Sequence, residues 1–251
     1  MNNTLVLLAG WGLGTQPLNA LAISLETELQ SVFSNFKVLL HPLPLSSGKE
    51  CSEIIQQLDT ELPQNCWLAG WSLGGMLATA LAAKRQQQTG AGLITLASNA
   101  CFVANVTWLN AMPASTFTEF YKLCEQDIRL GLKRFTLLCS QGGIQHQARS
   151  CAVALQAMIS TASTNPLELL AGLDLLASLD NRATITHYAG PQLHLLAEND
   201  TLVPLEVINE LKALNPCAVV EQLGKSHASP IIEPVLIAQR MAAFIASQQY
   251  V

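Results

Sequence analysis

Charged side chains are scarce in this sequence: they make up 12% of its residues, against 50% that are hydrophobic. That balance excludes a disordered or fibrous chain and points to an unusually apolar interior or pocket. Also missing is any run of about eighteen uninterrupted apolar residues, the length that crosses a bilayer, so no membrane span is expected. The seven cysteines are odd in number, scattered and without a C-x-x-C pair. Neither a disulfide framework nor a zinc site is indicated, and no metal or other cofactor is expected. An excess of positive charge is lacking as well. The net charge of −5 argues against general affinity for nucleic acid or anionic lipid. The start, Met1-Asn2-Asn3-Thr4, has no basic region or cleavage site ahead of the apolar stretch Leu5 to Leu8, so a cytoplasmic protein is expected. A monomer is the expected assembly.

What is present is an alternating pattern. At 251 residues the chain suits one large core with an inserted subdomain. Short apolar runs read as buried parallel strands at Thr4–Leu8 and Lys37–Leu40 and as further strands at Cys66–Ala69, Leu93–Ala97, Gln192–Ala197 and Ala218–Gln222. Helical spacing occupies Leu18–Leu29, Glu50–Leu62, Leu73–Arg85, the interval between the last two strands, and Pro234–Ala246. Strands alternating with helices predict an α/β fold, a mostly parallel sheet with helices on both faces. The alternation lapses between residues 101 and 187, where the helical stretches Phe117–Leu138, Gln147–Ile159 and Pro166–Leu179 follow one another without a convincing strand. This block reads as a helical cap inserted into a core formed by residues 1–100 and 188–251. Ser163-Thr164-Asn165-Pro166 is a turn within it.

Chemistry enters at residues 70–75, Gly-Trp-Ser-Leu-Gly-Gly. A G-x-S-x-G pattern between a strand and a helix is the nucleophile elbow of the α/β-hydrolase fold, with Ser72 on the tight turn. A serine hydroxyl is a poor nucleophile until a base takes its proton, and neutral imidazole suits that task near pH 7. In this fold the acid follows the serine and the histidine comes last. Among five histidines, His227 stands in the loop after the last strand; His187, His194, His41 and His146 read as structural or surface groups. Asp200, in the turn after the strand at 192–197, is the acid that orients the base, with Glu198 as its competitor. Oxyanion donors are expected from the Leu73 N–H and from the loop Ala9-Gly10-Trp11-Gly12-Leu13-Gly14, where Trp11 is the candidate. Its ring either walls an acyl pocket or packs under the cap. Cys139 and Cys151 have no motif that would make either a nucleophile.

Taken together, Leu7-Leu8-Ala9-Gly10-Trp11-Gly12-Leu13, Leu68 to Gly75, Leu96-Ala97-Ser98 with Cys101-Phe102, Arg134-Phe135, Asp200 to Pro204 and Lys225 to Ala228 resemble the pimeloyl-[acyl-carrier protein] methyl ester esterases of biotin biosynthesis. The resemblance implies that Ser72, Asp200 and His227 are a catalytic triad, that Trp11 and Leu73 line the oxyanion and substrate site, and that Phe135, Thr136, Leu137, Leu138 and Cys139 contact the acyl chain. The expected reaction is hydrolysis of the methyl ester of a pimeloyl chain carried on acyl-carrier protein. Two departures stand out. Ala9 replaces the family's usual histidine, and the N-terminal hairpin common in the fold is expected to be absent.

An acidic carrier needs a cationic docking face. Between Lys122 and Arg149 lie five cations and two anions, which leaves −8 for the rest of the chain. Arg129, Lys133, Arg134 and Arg149 are the expected carrier contacts. The competing reading makes Arg129, Lys133 and Arg134 a solvated face paired with Glu125 and Asp127. The competing functions are a broad short-chain carboxylesterase or thioesterase, and a catalytically dead binding protein of the same fold.

Overall fold

The computed structural model describes residues 3–85, 91–143, 145–161 and 165–248. Its sheet comprises β1 (Thr4–Leu8), β2 (Lys37–His41), β3 (Trp67–Trp71), β4 (Gly92–Leu96), β5 (Gln192–Leu196) and β6 (Val219–Gln222), in the order β2-β1-β3-β4-β5-β6. Every pairing is parallel, and β1 pairs directly with β2 and β3. Strands β3, β4 and β5 are buried along their whole length, as their unbroken apolar runs require when helices cover both faces. The sequence pattern makes Lys37–Leu40 a buried strand too. It is instead the sheet's edge, with alternate residues open to solvent, because β2 has a neighbour on one side only.

Helices α1 (Asn19–Gln30), α2 (Cys51–Glu61) and α3 (Leu73–Arg85) connect the first strands; α9 (Ile208–Leu214) joins β5 to β6; α10 (Ser229–Ile232) and α11 (Pro234–Ser247) close the chain. The chain turns from β1 to β2 on one side and returns to β3 on the other. The carboxyl ends of β1 and β3 therefore lie side by side at a topological switch point, where open α/β sheets bind ligands.

Between β4 and β5 run α4 (Ala114–Gln126), α5 (Ile128–Ser140), α6 (Gln145–Thr161), α7 (Pro166–Ser178) and α8 (Arg182–His187). The continuous helical spacing over Phe117–Leu138 is divided at Asp127. Its N–H bonds Leu123 O at 2.8 Å to end α4, and its carboxylate accepts from the N–H groups of Arg129 and Leu130, both at 3.0 Å, to start α5. A Cβ on Gly131 would stand 2.4 Å from Cys124 Sγ, so this glycine lets α5 lie close on α4. Of the expected turn at Ser163–Pro166, Ser163 and Thr164 lie outside the described residues. Asn165 caps α7 by accepting from Leu167 N–H at 3.1 Å. Among the described residues no helix is long and apolar enough to cross a membrane.

Candidate active site

Ser72 stands between β3 and α3 at φ 55°, a left-handed backbone that L side chains rarely adopt. Its N–H donates to Leu96 O at 2.9 Å, and its own carbonyl accepts from Gly75 N–H at 2.9 Å and Met76 N–H at 3.2 Å. The Ser98 hydroxyl also donates to that carbonyl, at 2.9 Å. Two glycines make the turn sterically possible. A Cβ on Gly70 would sit 2.2 Å from the Gly74 carbonyl, and one on Gly74 would sit 2.2 Å from Ala9 O. The second contact presses the end of β1 against the start of α3, which seats the loop after β1 beside the serine.

His227 is fully buried. Its Nδ1 lies 2.8 Å from Asp200 Oδ2, while Asp200 Oδ1 accepts from Leu202 N–H at 2.8 Å and Val203 N–H at 3.0 Å. The carboxylate is thus fixed by its own turn and offers its second oxygen to the imidazole. With Nδ1 donating to a carboxylate, the neutral ring carries its lone pair on Nε2. That atom is buried without a hydrogen-bond partner. Trp71 holds the histidine's backbone, donating from Nε1 to His227 O at 2.9 Å, with the two rings 5.6 Å apart.

The competing groups are engaged elsewhere. Glu198 forms a surface ion pair with Lys225. His194 is enclosed in β5, bonded to Thr95 Oγ1 at 2.8 Å and Gln192 Oε1 at 3.2 Å, and burial pushes its pKa down to about 4. His41 faces Glu61 at 3.4 Å, His187 bonds Ala183 O at 2.7 Å within α8, and His146 is exposed on α6. Burial raises the thiols of Cys139 and Cys151 above the ordinary range, so neither presents a thiolate.

Leu73 begins α3 and Trp11 follows β1. Among the described residues no acceptor takes the backbone N–H of either. The Trp11 ring is fully buried, donates from Nε1 to Leu169 O at 2.8 Å, and meets Phe135 edge-on at 5.0 Å and Phe120 at 5.8 Å. A Cβ on Gly172 of α7 would stand 2.6 Å from Trp11 Cδ1. The two roles weighed for this ring coexist, since it packs under α5 and α7 and also walls a cavity.

That cavity, of about 620 Å³, lies between α4, α5 and α7. Buried Trp11, Phe117, Phe135, Leu173 and Leu202 line its inner part, and exposed Glu119, Lys122, Gln126 and Arg134 line its rim. Of the five residues expected to contact an acyl chain, only Phe135 and Leu138 reach the wall. Leu137 is exposed, whereas Thr136 and Cys139 are buried away from the cavity. The cause is helical periodicity, which turns one position in three or four of α5 toward a given face. Ser72 and His227 are not on the wall themselves. Phe135 joins the two regions, its ring also standing 6.5 Å from that of His227. The walls supplied by α4 and α7 escaped the sequence motifs, although the apolar spacing of Phe117 and Phe120 and the leucine-rich run at 167–179 were visible signs.

No family model matches the chain. Curated relatives do. The biotin biosynthesis bifunctional protein BioHC of Cellvibrio japonicus is 38% identical over 70% of this chain and 34% of its own length. The pimeloyl-[acyl-carrier protein] methyl ester esterases of Vibrio vulnificus YJ016 and Serratia marcescens are each 32% identical, covering 96% and 97% of this chain and 93% and 94% of theirs. The chain therefore spans a third to under half of the bifunctional relatives, one of them from Teredinibacter turnerae at 45%, and nearly all of the shorter ones. Among solved structures, a bromoperoxidase from Bacillus anthracis (TM-score 0.81, 15% identity, 98% of this chain and 92% of that one) and an enol-lactonase from Burkholderia xenovorans LB400 (TM-score 0.77, 14% identity, 98% and 92%) share the α/β-hydrolase fold.

Proposed function

Because the chain belongs to the pimeloyl-[acyl-carrier protein] methyl ester esterase family, we propose that it hydrolyses the methyl ester of a pimeloyl chain on acyl-carrier protein, in biotin biosynthesis, as a cytoplasmic monomer. Ser72 Oγ attacks the ester carbonyl while His227 Nε2 takes its proton. The Leu73 and Trp11 N–H groups hold the oxyanion. The intermediate collapses, and methanol leaves with the proton returned by His227. Water, deprotonated by the same nitrogen, then attacks the acyl-enzyme and releases the carboxylate. The observation that carries this reading is the buried His227, tied at Nδ1 to Asp200 at 2.8 Å and without a hydrogen-bond partner at Nε2. It also weighs against a catalytically dead binding protein.

Residues 101–187 act as the cap. A largely apolar cavity beneath them suits an alkyl chain, and the exposed cations of the same segment, of which Arg134 stands at the cavity rim, suit an acidic carrier. Arg129, Lys133, Arg134 and Arg149 are all exposed. None has a carboxylate within salt-bridge distance among the described residues. Asp127, the expected partner of this face, instead spends its carboxylate on the N-terminus of α5.

Reversing Arg129 and Arg149 to Glu should lower kcat/KM for carrier-linked substrate about tenfold or more relative to a small neutral ester assayed on the same preparation. Rising salt should weaken the carrier-linked reaction selectively, since exposed charges are screened beyond about 8 Å at physiological ionic strength. Equal losses on both substrates would contradict carrier docking on this face.

A further inference from the structure

The acid and the base stand on two different loops, one after β5 and one after β6, and their bond of 2.8 Å holds only while the loops keep one spacing. On the strand side they are joined backbone to backbone, Glu198 N–H donating to Gly224 O at 3.0 Å and Asn199 N–H to Lys225 O at 2.9 Å. These bonds stop short of Asp200 and His227. Beyond them, both loops meet the end of a cap helix. The last carbonyls of a helix have no partner within it, and in α5 two of them are taken by groups next to the triad. Leu138 O accepts from the Thr201 hydroxyl at 3.1 Å, and Cys139 O accepts from Ala228 N–H at 2.9 Å. Asn199 is held as well. Gly142, at φ 90° just past the helix, lies so close that a Cβ there would stand 2.1 Å from Asn199 O. Cys139, expected from the sequence to touch an acyl chain, is fully buried beside the acid instead, and burial first and the Asp200 charge second raise its thiol. Further up, α5 reaches the loop after β1. Leu132 packs against Gly12, and Phe135 meets Trp11 at 5.0 Å.

We propose that Thr201 is a positioning residue: its bond to Leu138 O, beside that of Ala228 to Cys139 O, makes the end of α5 the template that sets Asp200 against His227. This rests on the Ser-His-Asp reading above. Leu138 and Cys139 are neighbours on one helix, so their carbonyls keep a fixed separation. The residue after the acid is tied to one of them and the residue after the base to the other. Within its own turn Asp200 is held by Leu202 N–H and Val203 N–H, which fix the carboxylate on the turn but not the turn on the protein. The Thr201 hydroxyl supplies that attachment. By sequence α5 belongs to the cap, and by contact it belongs to the site. A shift of the turn lengthens the bond from Asp200 to His227 and tilts the imidazole, and small misplacements are costly in catalysis. Because the loops stay joined at Glu198 and Asn199, loss of one hydroxyl loosens the acid without freeing it.

Thr201 also stands on the cavity wall, so positioning has to be separated from contact with substrate. The test compares Thr201→Val, which keeps the shape of the side chain and removes the donor, with Thr201→Ser, which keeps the donor, in the full chain on p-nitrophenyl butyrate. Thr201→Val should lower kcat about five- to twentyfold. Acylation and deacylation both use His227 Nε2, so both slow together and KM should stay within about twofold of the parent. Thr201→Ser should keep kcat within about twofold, since its hydroxyl still donates to Leu138 O. Denaturant midpoints should be nearly equal, because the side chain is exposed. Parental kcat in Thr201→Val, a loss confined to KM, a loss matched by a lower midpoint, or a Thr201→Ser enzyme as slow as Thr201→Val overturns the proposal. The underlying reading fails separately. An active Ser72→Ala enzyme on the same ester removes the triad, whereas an inactive one beside a fully active Thr201→Val leaves the triad and removes only its template.

Discussion

Ser72→Ala is expected to lower kcat for ester hydrolysis by on the order of 10⁴-fold or more, because the nucleophile is lost and only oxyanion stabilisation and binding remain. Stability should change little. Alanine keeps the Cβ that the backbone already accommodates at φ 55°, and loss of one nearly buried hydroxyl opens no sizeable cavity. Denaturant midpoints measured beside turnover separate loss of chemistry from loss of fold. Residual activity within tenfold of the parent would remove Ser72 from the mechanism.

Asp200→Asn should be nearly as severe, slower by roughly 10⁴-fold, and the turn around it gives a specific reason. Asp200 Oδ1 is held by the N–H groups of Leu202 and Val203. In the asparagine variant the carbonyl oxygen keeps those two bonds, so the amide NH₂ faces His227 Nδ1. An NH₂ donor there stabilises the tautomer protonated on Nε2, which cannot take a proton from serine. Glu198→Gln breaks only a surface ion pair with Lys225, which solvent screens, and its kcat/KM should stay within about threefold of the parent. Steady-state kinetics of both variants on one neutral ester decide the matter. A Glu198→Gln enzyme more damaged than Asp200→Asn would mean that the acid has been misassigned.

The strands and the proposed triad were legible because their signals are local. Residues 70–75 carry their own strand, turn and helix, and β3, β4 and β5 are buried throughout, so each reads as an unbroken apolar run. Features that depend on distant partners were not legible. Edge position is a property of sheet order, and Lys37–His41 differs little in composition from a central strand. The break at Asp127 was hidden because apolar spacing continues across it through Ile128 and Leu132, and only the side-chain cap reveals that one helix has become two. The cavity was the least legible feature. Its walls come from helices far apart in sequence, and the contiguous segment Phe135–Cys139 puts only two of its five residues on them. The rim cations were visible as a charge asymmetry, yet nothing local distinguished Lys122, at the cavity mouth, from Arg129 and Lys133, which are not on its wall.

The most direct measurement is the mass of the carrier protein after incubation of methyl pimeloyl-acyl-carrier protein with the enzyme. Cleavage of the ester predicts a carrier lighter by one methylene unit, with methanol released and the thioester intact, and no such change with Ser72→Ala. Appearance of free phosphopantetheinyl carrier with monomethyl pimelate in solution would identify a thioesterase and contradict the account.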